Sequence, residues 1–148
     1  MRKHVGIVTT EDIEKGEEIM FRYGSLSNRY LLQWYGYACE NNPFDKVTVY
    51  LKNHPSTDLI SFSQVERGTT AFVIRRGKVN AKLIAHWEKV THSPIGGLIA
   101  AMKKAQLPRI SEKLKAEPHY EWIELYQKEQ AAIYECHLQL LEAVGSQL

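Results

Sequence analysis

The hydrophobic pattern shifts from mainly strand-like to helical near residues 77–80, and this change constrains the fold more than any other feature of the chain. Before it, short segments alternate apolar and polar residues or concentrate β-branched side chains, as strands do. After it, apolar residues recur at steps of three and four, as on a helix face. A β-rich first half followed by a helical second half predicts an α+β fold in two layers.

Upstream of the change, Val5 to Thr9, Glu18 to Tyr23, Lys46 to Leu51 and Thr70 to Arg76 have strand character. Glu11 to Gly16 and Asn53-His54-Pro55-Ser56 read as turns, and Asp58 to Glu66 is ambiguous, with a short helix as one reading. Downstream, Asn80 caps a helix carrying Leu83, Ile84 and Trp87. Ser93-Pro94 then offers an N-cap and a first-turn proline for a helix carrying Ile95, Leu98, Ile99 and Met102. Pro108 and Pro118 bracket a short amphipathic piece around Ile110 and Leu114. Glu117 to Val144 predicts one long helix, striped by Ile123, Tyr126, Ile133, Leu140 and Val144, widened by Tyr134, Leu138 and Leu141, and interrupted at Gln130 and His137.

At 148 residues, with 44% hydrophobic and 24% charged residues, the chain can bury a core and has neither a disordered nor a membrane-spanning composition. Met1-Arg2-Lys3-His4 leads into VGIVTT and not into an extended apolar segment with a cleavage site, which predicts an intracellular protein. Cys39 and Cys136 lack metal or redox spacing and read as reduced thiols, and the six histidines form no HExxH pattern, so no metal site is expected. Residues 75–115 carry ten Lys/Arg against two Glu, whereas residues 116–148 carry one Lys against six Glu. Without interleaved aromatics this basic block reads as solvated helix faces partly matched by the acidic last helix, and no nucleic-acid partner is expected.

The densest aromatic stretch is Lys15 to Asn42, KGEEIMFRYGSLSNRYLLQWYGYACENN. Glu18 to Tyr23 alternates, Gly24 supplies a turn, Ser27 offers an N-cap hydroxyl, and Tyr30, Leu31, Trp34 and Tyr35 share a helical face that stops at Gly36. From residue types alone, Tyr23, Trp34 and Tyr35 are ordinary core aromatics.

The ordered run DIEKGEEIMFRYGSLSNRYLLQWYGY, followed by NNPFDKV and a strand, resembles the C-terminal part of a SET domain. The subclass it is most similar to is that of the Rubisco large-subunit methyltransferase and its lysine- and histidine-methylating relatives. That resemblance implies two regions: residues 1–51 as a small, β-rich, partial SET domain, and residues 52–148 as a mostly helical substrate-binding region. It implies transfer of a methyl group from S-adenosylmethionine to a protein lysine or histidine nitrogen. Tyr23 and Tyr35 match the family's channel tyrosines, with Tyr35 the principal catalytic hydroxyl, and Tyr37 and Trp34 are candidate channel walls.

The family's glycine-containing cofactor loop and Asn-His pair precede the GEEI strand, and only 15 residues stand before Gly16. Asn53-His54 lies after the tyrosine motif, beside Pro55, and reads as a turn. The expectation is a chain inactive alone, without assignable cofactor-binding residues, whose partners are a protein substrate or the missing N-terminal half. Open edges on the two first strands predict self-association. The alternative expectation is a noncatalytic protein-interaction module derived from such an enzyme.

Overall fold

The structure is a computed structural model that describes residues 6, 8–22, 24–56, 58–62, 67–109 and 112–147. Helix α1 (Asn28–Tyr35) precedes strands β1 (Val47–Lys52), β2 (Ile60–Ser61) and β3 (Thr69–Ile74). Helices α2 (Ala81–Thr91) and α3 (Ile95–Lys104) follow, then a 3-10 turn at Glu112–Ala116 and the long helix α4 (Tyr120–Gly145). The α+β class and the change from strand to helix near residue 80 are both present.

The three strands form an antiparallel sheet in the order β2-β1-β3. Central β1 pairs with β3 along its whole length, from Val47 opposite Ile74 to Lys52 opposite Thr69. Its odd-numbered residues Val47, Val49 and Leu51 point into the core, as the two-residue strand period requires. They meet Phe72 and Ile74 of β3, Leu83 and Trp87 of α2, Leu98 and Met102 of α3, and Ile133, Leu138 and Leu141 of α4. Residues on both sides of position 51 therefore share one core. At the end of β3 the chain reverses through Gly77, whose φ of 68° suits glycine, and an Arg75–Lys78 bridge closes the turn.

Several local expectations are corrected. Val8, Thr9 and residues 18–22 are not strands, and Ile19, Met20 and Phe21 are exposed. Alternation alone does not hold a strand that has no ladder partner, and none is present for these residues among those described. Val5, Ile7 and Tyr23 lie outside the described residues. The ambiguous 58–66 segment contains the short strand β2, because Ser61 and Ile60 pair with Tyr50 and Leu51; residues 63–66 are outside the described set. Asn80 caps α2 as expected, accepting the Leu83 N–H at 3.1 Å. Pro94, not Ser93, is the N-cap of α3, and the Ser93 hydroxyl instead donates to the Thr91 carbonyl.

Helix α4 buries Glu129, Ile133, Tyr134, His137, Leu138 and Leu141. His137, expected as an interruption of the apolar stripe, is fully buried, with Nδ1 3.2 Å from the Lys78 carbonyl. Only a protonated Nδ1 makes that contact a hydrogen bond, which fixes the neutral tautomer. Tyr134 spans to α3 by donating its hydroxyl to the Met102 carbonyl at 2.9 Å.

Candidate functional site

The eight residues of α1 turn Asn28, Leu31 and half-buried Leu32 inward, leaving Tyr30, Trp34 and Tyr35 toward the outside. Gly36 ends the helix in the left-handed region, with its N–H on the Leu32 carbonyl. The chain then turns back, so that Tyr37 comes beside Tyr35, their ring centroids 6.4 Å apart and edge-on. Tyr30 lies 6.4 Å from Tyr35 and 6.2 Å from Trp34, which makes one continuous aromatic surface. Tyr35 is 44% exposed and Trp34 64% exposed, whereas Tyr37 is half-buried. The structure thus brings Trp34, Tyr35 and Tyr37 together; Tyr23 lies outside the described residues.

This surface is held by a buried polar network centred on Asn28. Its side-chain amide donates to the Cys39 carbonyl at 2.8 Å, and its Oδ1 accepts the Cys39 N–H at 3.0 Å, clamping the return of the chain against the helix start. Asn42 adds a donor to the same Oδ1 at 3.0 Å and another to the Leu26 carbonyl. The Asn28 N–H itself is taken by Asp45 Oδ1 at 3.0 Å, so Asp45 caps α1 while Ser27, at the N-cap position, makes no side-chain bond. A carboxylate at a helix N-terminus also meets the positive end of the helix dipole.

Two residues of α4 tie into this network. Gln130 donates to Asp45 Oδ2 at 3.2 Å and to the Lys46 carbonyl at 3.1 Å. Glu129 accepts the Asn41 N–H at 3.1 Å and pairs with Arg76 at 2.6 Å. Burial pushes the Asp45 carboxyl above its ordinary value, partly offset by bonds from Lys46, Asn28 and Gln130. None of Asp45, Glu129 or Gln130 was marked in the sequence as a site residue. Their partners lie up to 88 residues away, a separation that no local pattern reports.

Two clefts flank the network. The smaller, about 300 Å³, runs between Phe21, Tyr37, Asn42 and Phe44, with Arg22 stacked over the Phe44 ring at 4.6 Å. The larger, about 1040 Å³, is walled by the start of β1, Phe62, residues 106–109 and one side of α4. Tyr126 lines it; burial raises its hydroxyl pKa and the Arg29 charge acts in the opposite sense.

A methyl-donor cofactor needs donors and acceptors left free to receive it. In the small cleft, Asn42 spends its amide on Leu26 and Asn28 and its carbonyl on the Phe44 N–H. The buried polar atoms without partners among the described residues are His86 Nε2, Trp87 Nε1 and His137 Nε2, all on α2 or α4 and none lining either cleft. The side chain of Asn42 in the small cleft is therefore already occupied within the protein. Among them no cluster of three or more His, Cys, Asp or Glu is placed to hold a metal ion, and no helix is long and apolar enough to cross a membrane.

Comparison with known proteins points to a class: a stretch of the chain is related in sequence to SET-type lysine methyltransferases, which supports a methyltransferase-like origin. The relative is the ribosomal lysine N-methyltransferase set10 of Schizosaccharomyces pombe, 38% identical over 53 residues. Those residues make up 36% of this chain and 10% of the relative, so the chain spans only a small part of that protein. No family model and no solved structure matches.

Proposed function

We propose that this chain supplies the acceptor-side portion of a SET-type protein N-methyltransferase, of the Rubisco-methyltransferase-like subclass, acting on lysine or histidine. The observation that carries the reading is the aromatic surface of Tyr30, Trp34, Tyr35 and Tyr37 at the end of α1, set in the ordered sequence motif. In this reading Tyr35 is the catalytic hydroxyl, with Tyr23 as its partner. A phenolic oxygen beside an amine accepts its N–H bond and aims the nitrogen lone pair, and aromatic faces keep water out and tolerate a methylated cation. Tyr37 and Trp34 are assigned to the walls.

In this reading the chain works with a cofactor-binding part of the enzyme and is inactive alone. The test is methyl transfer to candidate protein substrates by the chain with and without a complementary N-terminal SET segment. Activity that requires both parts, and that Tyr35→Phe abolishes, supports the reading.

A second reading, a noncatalytic interaction module, is favoured by the size of the larger cleft, which lies apart from the aromatic surface. Partner binding that survives Tyr35→Phe, with no methyl transfer from the complemented chain, supports this alternative.

A further inference from the structure

We propose that Glu129 of α4 is a positioning residue for the aromatic surface: it anchors the turn of residues 36–42 so that Tyr37 stays edge-on to Tyr35. Its part in catalysis rests on the reading of that surface as the acceptor side of a methyl-transfer channel; its structural role stands without it.

The first argument is how the turn is held. Beyond Gly36 the chain enters neither a helix nor a strand until Val47, so its backbone groups need partners from side chains. Asn28 takes both the N–H and the carbonyl of Cys39. Asn41, two residues on, has a left-handed φ of 53°, a conformation that a non-glycine residue keeps only where its surroundings impose it. Its N–H donates to Glu129 Oε2 at 3.1 Å, on a helix 88 residues further along the chain. The turn is thus fixed on one side to the helix that carries Tyr35 and on the other to α4.

The second argument is where the carboxylate sits. Glu129 opens a row on α4 that Ile133 and His137 continue at steps of four, and all three are buried. Taking a carboxylate out of water is costly unless good donors meet it. The same Oε2 accepts the Asn41 N–H and the Arg76 guanidinium, the latter at 2.6 Å. Arg76 is exposed, so an ion pair with it alone is available at the surface, whereas the bond to the turn requires the inward position.

The third argument is the neighbouring residue. Gln130 donates to Asp45 Oδ2, and Asp45 caps the first turn of α1. Consecutive residues of α4 therefore hold both the start of α1 and the turn beyond its end. Tyr30, Trp34 and Tyr35 lie on the helix between those anchors, and Tyr37 lies on the turn. Freed at its N–H, Asn41 relaxes toward negative φ, and Asn42, which donates to Asn28 Oδ1, moves with it. The Tyr37 ring then loses its place against Tyr35. A displacement of about 1 Å from a distant substitution lowers a rate by up to about a hundredfold.

The test uses the full 148-residue chain with Glu129→Ala, Glu129→Asp and Glu129→Gln, each checked for folding by circular dichroism. Nuclear Overhauser contacts between the Tyr35 and Tyr37 rings, and exchange of the Asn41 amide relative to that of core Val49, read the structural role. Glu129→Ala is expected to weaken the ring contact about twofold or more and to speed the relative exchange about tenfold. Glu129→Asp, one carbon shorter, does the same while leaving Arg76 a partner, and it carries the test if the alanine variant does not fold. Glu129→Gln, whose amide oxygen still accepts the Asn41 N–H, keeps both signals. Leu141→Ala removes core packing from the same helix and alters neither. With a complementary N-terminal SET segment, the alanine and aspartate variants lower kcat about tenfold with KM within about twofold, and Glu129→Gln restores it. A full ring contact in Glu129→Asp, or a loss as large in Glu129→Gln or Leu141→Ala, overturns the structural role. An unchanged kcat where the ring contact is lost overturns the role in catalysis. If the natural chain so complemented transfers no methyl group, the reading of the surface fails, and the ring contact still decides the positioning.

Discussion

Asp45 caps the helix that begins 17 residues before it: its Oδ1 accepts the Asn28 N–H at 3.0 Å, while its Oδ2 accepts from Gln130 of α4 at 3.2 Å. One buried carboxylate thus joins the aromatic-bearing helix to the long C-terminal helix. Replacing it leaves a helix-start N–H unpaired at a buried site and removes one of the two bonds made by the Gln130 amide. Asp45→Ala is expected to cost about 2–3 kcal/mol, and Ser27→Ala less than about 0.5 kcal/mol, because Ser27 makes no capping bond. Urea denaturation of the two variants measures the difference.

Glu129 gives a second junction. It is 3% exposed and holds both Arg76 and the Asn41 N–H, whereas the Arg76 side chain is 38% exposed. Truncating the buried partner is therefore the more damaging change. Glu129→Ala is expected to lose about 3 kcal/mol, and Arg76→Ala about 1 kcal/mol, since water partly replaces the guanidinium. A double-mutant cycle on denaturation free energies reads the coupling between them.

Much of the helical half was legible, because Asn80, Leu83, Trp87, Leu98 and Met102 follow local rules of capping and period that tertiary contacts reinforce. The first strands were not, because alternation in Glu18 to Tyr23 describes a preference and a strand needs a partner. The Asn28–Asp45–Gln130 network was invisible for a related reason: each residue is polar and unremarkable locally, and only folding brings the three together. Of the candidate site, the proximity of Tyr30, Trp34 and Tyr35 was legible from helix spacing, although Leu31 of the same expected face turns inward, and the approach of Tyr37 was not. The larger cleft was not, because its cations are scattered from Arg29 to Lys128.

Burial lowers the pKa of His137, with the Lys78 carbonyl bond acting the other way, and burial followed by the Lys89 charge lowers that of His86. Both are bases that the folded state keeps neutral, so the unfolded chain binds more protons below the ordinary value of 6.5. Their stabilising effect is complete above that value and is lost as pH falls toward the depressed folded values. Unfolding free energy is expected to drop as pH falls below about 6.5. His137→Leu should flatten that slope, which thermal or urea melts across the range will show.

The two glycines at the start of α3 should respond in opposite ways. A Cβ on Gly96 meets nothing within 4 Å, whereas one on Gly97 falls 3.2 Å from Cζ2 of the buried Trp87 ring. Gly96→Ala is expected to stabilise by about 0.5–1 kcal/mol through helix propensity. Gly97→Ala, forced against a packed indole, should destabilise by about 1 kcal/mol. Differential scanning calorimetry distinguishes the two shifts in Tm.

The central claim is that the aromatic surface around Tyr35 is the acceptor side of a methyl-transfer channel. The most direct measurement is the rate of methyl incorporation into a protein substrate by the chain complemented with an N-terminal SET segment, comparing the natural residue with Tyr35→Phe. Removing a positioned catalytic hydroxyl is expected to reduce the rate by about a hundredfold or more, with the fold intact. An unchanged rate in Tyr35→Phe, from a complex that methylates its substrate, would contradict the assignment.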